Sequence, residues 1–316
     1  MIVRWSLAEL PDALAEAGIE RPFVIASPRW DALALPPHVG RASEVPSESV
    51  DVPAAADGIL AIGGGSAIDT GKHASANTGL PVVHVPTTYS GAEWTTFYGI
   101  RSADRRIQGG GAGAHPVALV YDVELTLDLP REESAGTAMN ALAHCAEALY
   151  VRGHSPEGDA QALAGAPLIA SALPRVLAAP RERDARLELL QGAAHAGHAL
   201  ALAGLGLGHA MAQALGGRYG LPHGAMNALC LPPALAFNRV LVPAEVERFG
   251  TAIGGDPVDG SRALARLGGF ERLRDFVVPK DDLPDVAAAA AARAGNQANP
   301  RPATPSEIEG LLAAIW

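Results

Sequence analysis

The run Gly58-Ile59-Leu60-Ala61-Ile62-Gly63-Gly64-Gly65-Ser66 decides the architecture. An apolar stretch ends in three glycines and a serine, and helical sequence begins around Ala67. The pattern reads as a buried strand that turns directly into a helix. Such a turn leaves the first N–H groups of the helix unpaired at its positive end, where a phosphate can settle without side-chain obstruction. Asp69 is placed for a sugar hydroxyl or for helix capping. The spacing is not the GxGxxG fingerprint, and no Gly-Lys-Ser/Thr follows to make a P-loop. A tight strand-to-helix turn with no ligand is the alternative.

Outward from this run, the first part of the chain alternates. A helix is expected over Leu7–Ala17, and residues 21–27, RPFVIAS, read as a short buried strand. Residues 31–56 are Pro-rich and weakly patterned, with strand character over Glu48–Val52 and again over Asp57–Ile62. Pro81–Val85 is a strand that ends in Pro86-Thr87-Thr88, and Val117–Tyr121 is another, ending in Asp122. Strands alternating with helices imply a parallel sheet, and ligands collect at the carboxyl ends of its strands. Thr87 and Thr88 at one such end strengthen the phosphate reading of Gly63, Gly64, Gly65 and Ser66.

After Pro130 the texture becomes Ala/Leu-rich with helical periodicity over 134–152, 158–178, 182–203, 206–216 and 224–238. Gly216-Gly217 reads as a helix stop. Val286–Ala294 and Ser306–Ile315 complete the helices, with Ser306 as expected N-cap. Two domains follow: α/β over 1–129 and all-helical over 130–316.

The helical part carries the candidate chemistry. In Met139-Asn140-Ala141-Leu142-Ala143-His144-Cys145-Ala146-Glu147-Ala148-Leu149-Tyr150, Asn140 and His144 share one helix face. His209 and His223 follow in Gly-rich surroundings, and six of the ten histidines lie between 144 and 223. Converging on one place, these groups could polarise a carbonyl and pass a proton. Three imidazoles with a carboxylate would suit Fe²⁺ or Zn²⁺, but Asn140 is a neutral amide and a poor ligand. No metal ligand is therefore assigned, and a divalent ion stays open as the alternative.

Composition narrows the partners. The chain has 316 residues, 48% hydrophobic and 18% charged, with formal net charge −10. No basic patch offsets this balance, which argues against nucleic acid and anionic membranes as the main partner. A small anionic substrate held by local arginines remains open, with Arg101, Arg105, Arg106 and Arg218 as candidates. Two cysteines fit a reducing compartment, and neither a signal core nor a spanning apolar stretch is expected. A cytoplasmic location is the default.

Taken as a set, several motifs carry a resemblance. They are Gly-Gly-Gly-Ser at 63–66, Pro-Thr-Thr-Tyr at 86–89, Tyr-Asp-Val-Glu-Leu-Thr-Leu-Asp-Leu-Pro at 121–130, Met-Asn-Ala-Leu-Ala-His at 139–144, Gly-Leu-Pro-His-Gly at 220–224 and Asn-Pro-Arg-Pro at 299–302. The chain resembles the iron-containing alcohol dehydrogenase superfamily, and Asn140, Tyr89 and the late NPRP point to its maleylacetate reductase branch. The resemblance implies a dinucleotide-binding α/β domain, an all-helical domain (the dehydroquinate synthase-like fold) and an active site in the cleft between them. It implies NAD(H) or NADP(H) held by Gly64, Gly65, Ser66, Thr87 and Thr88, and a homodimer. Members of the branch reduce the carbon–carbon double bond of maleylacetate to 3-oxoadipate. Asn140, His144, His209 and His223 match the positions where the wider superfamily holds its metal.

Three positions depart from that pattern. Gln213 stands one helical turn after His209 where a histidine is usual, Gly208 precedes His209 where a second histidine is common, and residues 31–57 look shortened. His195 and His198 either supply replacement chemistry or lie on a partly exposed helix face. The lead reading is an NAD(P)H-dependent reductase of a small oxo-acid or enoate. The alternative is a non-redox descendant performing an elimination, isomerisation or cyclisation.

Overall fold

The computed structural model describes residues 1–47, 49–101 and 107–316, apart from the side chains of Arg101 and of residues 107–109. It divides into two compact units, residues 1–88 with 92–129 and residues 89–91 with 130–316.

The first unit runs β1 (Ile2–Arg4), α1 (Leu10–Glu16), β2 (Pro22–Ala26), β3 (Gly40–Ala42), β4 (Gly58–Gly63), α2 (Gly65–Thr78), β5 (Pro81–Pro86), β6 (Tyr98–Arg101), β7 (Ile107–Gly111) and β8 (His115–Val120). Six strands form a sheet in the order β1-β8-β5-β4-β2-β3, and every described pairing in it is parallel. Both faces are covered, which is why its strands read as unbroken apolar runs rather than alternations. Val24, Ala26, Leu60, Ile62, Val83 and Val85 pack with Leu10, Ala13 and Leu14 of α1. Their neighbours Phe23, Ile25, Ile59, Ala61 and Val82 face the other way and pack with Ile68 and Ala74 of α2.

Several expectations needed correcting here. Residues 49–52, read as strand, are not in one, and residue 48 lies outside the described residues. The outer strand is instead β3, paired with β2. The first helix is shorter than expected, because Leu7–Glu9 winds as a 3₁₀ turn before α1 starts with Pro11 in its first turn. Edge strands β1 and β3 have three residues each, too few to show a period.

The second unit contains α3 (Arg131–Ala148), α4 (Pro156–Ala178), α5 (Arg183–Ala203), α6 (Leu207–Tyr219), α7 (His223–Arg239), α8 (Pro243–Ile253), α9 (Pro257–Leu267), α10 (Leu283–Ala291), α11 (Ala294–Ala298) and α12 (Pro305–Ala314). Helices α8, α9 and α11 were not expected. Gly216-Gly217 does not end α6, which runs on to Gly220, a left-handed residue with φ 68°. Thr304, not Ser306, caps α12, through a capping box with Glu307. By length and composition α4 could cross a membrane, yet it packs against α3, α5 and α8.

Helix α3 is the axis of this unit, buried from Ser134 to Ala148 except at Thr137. Glycine lets its neighbours approach closely. A Cβ placed on Gly224 of α7 would lie 2.3 Å from the carbonyl carbon of Gly136 in α3. That crossing sets Asn140, one turn beyond Gly136, beside the first turn of α7. Gly91, at φ 74°, packs its backbone on Gly197 of α5 and brings Ser90 to the same region.

Candidate active site

Asn140, His144 and Glu147 recur at helical spacing on α3 and point to one side of it. Asn140 donates from Nδ2 to the Ser90 carbonyl at 3.0 Å and faces His144 Nε2 at 3.4 Å. Its Oδ1 accepts from Asn227 Nδ2 at 2.7 Å and lies 3.3 Å from His209 Nε2. Asn227 also lies 3.1 Å from His223 Nε2. The rings of His144 and His209 stack with centroids 4.6 Å apart, and His223 lies 5.9 Å from His209. The four predicted residues therefore do converge, drawn from α3, α6 and α7.

The hydrogen bonds have a direction. An amide NH₂ can only donate, so Nε2 of His144 and of His223 is the accepting nitrogen and each ring carries its proton on Nδ1. Burial, then the neighbouring His209 and His223, hold His144 well below the usual histidine range, so it is neutral at physiological pH. His209 is arranged differently. Its Nδ1–H donates to Glu147 Oε2 at 2.6 Å, which leaves Nε2 directed at Asn140. Glu147, with no exposed surface, also accepts the backbone N–H groups of Gly206 at 2.6 Å and His209 at 3.2 Å. A buried carboxylate with three donors is well satisfied.

This set does not fit a tightly held divalent ion. The amide oxygen of Asn140 already accepts from Asn227, and its NH₂ end faces the nitrogen of His144 that would have to ligate. The nearby carboxylate, Glu147, is turned to the N–H groups of α6. Among the described residues, no three His, Cys, Asp or Glu are grouped to hold a metal.

The glycine turn lies in the first unit. Register pairs Gly63 with Pro86, and the Thr87 N–H donates to the Gly63 carbonyl at 3.0 Å, so the two strand ends sit side by side. Gly63 has φ 146°, a conformation that side chains disfavour, and a Cβ on Gly64 would lie 2.9 Å from Thr88 Cγ2. Gly64 caps the 14-residue α2 with no side-chain bond, and while the Ala67 N–H donates to the Gly64 carbonyl at 3.0 Å, those of Gly65 and Ser66 are placed for an anion. Thr88 Oγ1 beside it is buried without a hydrogen-bond partner. A dinucleotide pyrophosphate fits this cradle, and the orphaned hydroxyl is the observation that favours it. Asp69 does not face the turn: its carboxylate binds Lys72 Nζ at 2.7 Å and the Gly99 N–H at 3.2 Å, fastening α2 to β6.

Other candidates are placed elsewhere. His195 Nδ1 meets Gln161 of α4 at 2.7 Å and His198 lies 4.0 Å from Glu157, which fits the helix-face reading. Arg218 pairs with Asp282 and Asp285, while Arg105 and Arg106, and the side chain of Arg101, lie outside the described residues. The sequence reading missed Glu147, Asn227 and Ser90. Glu147 had a signal, since a carboxylate inside an apolar helix must find donors.

Comparison with known proteins gives the lineage. Residues 134–316 match the model of the Fe-containing alcohol dehydrogenase family C-terminal region, and residues 47–123 match that of iron-containing alcohol dehydrogenase. Maleylacetate reductase of Sphingobium indicum is 37% identical over 277 residues, covering 85% of this chain and 78% of its own. Maleylacetate reductase 1 of Cupriavidus pinatubonensis is 34% identical over 326 residues, covering 96% of this chain and 90% of its own. The crystal structure of maleylacetate reductase from Rhizobium sp. superposes with a TM-score of 0.89 at 29% identity, over 100% of this chain and 95% of that one. The chain is an oxidoreductase that belongs to the iron-containing alcohol dehydrogenase family, on its maleylacetate reductase branch.

Proposed function

We propose that the protein is an NAD(P)H-dependent reductase of a small oxo-acid or enoate, with maleylacetate as the first substrate to test. The observation that carries the reading is the amide-lined histidine cluster, in which Glu147 holds the Nδ1 side of His209 at 2.6 Å and Nε2 faces the Asn140 amide oxygen at 3.3 Å. The N–H groups at the start of α2, with Thr88, would hold the dinucleotide phosphates. When bound, the reduced nicotinamide supplies a hydride to an electron-poor carbon.

The task of the chain is to manage the charge and the proton. Oxygen that gains negative charge needs donors fixed in advance and sheltered from water. Asn140, His144 and His209 are each at most 5% exposed, and their bonds to Ser90, Asn227 and Glu147 fix their orientation. His209, its Nδ1–H held by the Glu147 carboxylate, can pass a proton at Nε2 to the product. His144, neutral and with its Nδ1 buried and unpartnered, offers a second N–H.

Mixing the protein with NADH or NADPH and maleylacetate should consume the nicotinamide absorbance, and the faster dinucleotide identifies the cofactor. No oxidation of either one, with maleylacetate or with a panel of enoates and oxo-acids, overturns the reading. The non-redox alternative draws on Gln213 and on the shortened residues 31–57, and of these Gln213 has a partner, Arg293, that gives it another task.

A further inference from the structure

Arg293 differs from the arginines that pair with carboxylates. Arg175, Arg218, Arg239 and Arg301 each meet carboxylates, which raise their pKa values. Arg293 is half-buried, has no acidic partner among the described residues, and is lowered by burial. Its Nη2 donates to the Gln213 backbone carbonyl at 3.1 Å and its Nη1 to Gln213 Oε1 at 3.5 Å. Its Nε is buried with no hydrogen-bond partner. A guanidinium has five N–H groups, so three here have no partner among the described residues. Burying a cation without a counter-ion is costly, and a ligand anion would relieve that cost.

Its place on the fold ties it to the histidine cluster. Gln213 lies four residues beyond His209 on α6, on the same face and about 6 Å along the axis. Arg293 precedes α11, and α11 is pressed onto α6: a Cβ on Gly295 would lie 2.6 Å from the Gly206 carbonyl oxygen and 3.6 Å from Ala210 Cβ. The guanidinium is thus anchored to the helix that presents His209. Gln213 is also the position where the family pattern has histidine. A neutral imidazole offers a single acceptor nitrogen, whereas an amide oxygen can accept and still point its NH₂ elsewhere.

We propose that Arg293, tethered by Gln213, is an anion subsite that takes the substrate carboxylate remote from the reacting carbon. The substrate assignment rests on the reductase reading; the anion site can be tested apart from it. The fork matches two carboxylate oxygens, and Gln213, to which it is bonded, lies about 6 Å beyond His209 along α6, the span of a few carbon–carbon bonds.

Two measurements test it on the 316-residue chain. In steady-state kinetics, Arg293→Gln should raise KM for maleylacetate by about tenfold to a hundredfold, the loss expected for one charge-assisted contact. It should raise KM much less for an analogue with the remote carboxylate esterified. Arg293→Lys should recover part of the loss, and Gln213→Leu should show a smaller loss with the same preference. In an NMR titration, adipate should bind the wild type and be lost in Arg293→Gln. Equal KM changes for acid and ester, or adipate binding that is absent from the wild type or unchanged in the variant, overturns the proposal. If the wild type does not oxidise NADH or NADPH, the reductase reading falls and the adipate titration alone decides the site. Should Arg293→Gln fail to fold, Arg293→Lys and Gln213→Leu carry the same comparison.

Discussion

Replacing Glu147 with glutamine isolates what its charge contributes, because the two side chains have nearly the same shape. The carboxylate accepts from Gly206 N and His209 Nδ1 at Oε2, both at 2.6 Å, and from His209 N at Oε1 at 3.2 Å. An amide must put its NH₂ somewhere. The milder choice is the Oε1 position, which sets donor against donor and strands the His209 N–H, costing about 1–3 kcal/mol. The two bonds left at the carbonyl lose their charge assistance, about 1 kcal/mol each. Removing a buried charge offsets part of this, so we expect a net loss of about 3 kcal/mol. For a unit of this size that lowers the melting temperature by about 6–12 °C. The His209 ring loses its anchor as well, and a displacement near 1 Å at a reacting atom can cost about a hundredfold in kcat. Thermal unfolding followed by circular dichroism gives the first quantity, and nicotinamide oxidation the second. A variant that melts within about 1 °C of the wild type and keeps its kcat would refute the idea that this carboxylate organises the site.

Further predictions concern both units. Thr88→Val should weaken NADH binding about fivefold, the value of one neutral hydrogen bond, and leave the melting temperature unchanged, because Thr88 Oγ1 has no partner to lose; a fluorescence titration checks this. Gly224→Ala should destabilise by about 1–3 kcal/mol through overpacking against the Gly136 backbone and lower kcat together with stability, as shown by melting and turnover. Burial pushes Glu93 up to about 7 from 4.5, so its contribution is full below 4.5 and is lost as pH rises through about 7. Burial, then Lys72, pushes His84 down to about 3 from 6.5, so its contribution is full above 6.5 and is lost as pH falls through about 3. The two slopes oppose between 4.5 and 6.5, and His84→Gln should leave a stability that falls with rising pH across that window relative to wild type; an unchanged difference between variant and wild type at each pH would count against it.

Much of the fold could be read from the sequence because local pattern and burial agree. Within RPFVIAS the segment Pro22–Ala26 is apolar throughout since both faces of β2 are covered, and the glycine turn marks the carboxyl end of β4. The helical half announces itself by composition, and Asn140 with His144 by spacing. What failed depended on tertiary context. Gly216 is buried and Gly217 half-buried, so packing carries α6 past two glycines that each cost about 1 kcal/mol in an isolated helix. Asn227 sits in an apolar run with nothing local to mark it, and Arg293 follows an alanine stretch with no acid at helical spacing. Their meaning comes from partners 87 and 80 residues away in the chain.

The residue that sets the polarity of this site is an amide. Asn140 has a donating end and an accepting end, and the structure uses both. The donating end faces Ser90 and His144, the accepting end Asn227 and His209. Asn227 repeats the arrangement, giving one N–H to Asn140 and facing His223 with its NH₂ group. The polarity of the two amides therefore fixes which nitrogen of His144 and of His223 carries the proton, while Glu147 does so for His209. A carboxylate at 140 would supply only acceptors and leave the Ser90 carbonyl and His144 Nε2 without their donor. Two amides and one carboxylate thus orient three imidazoles around one point.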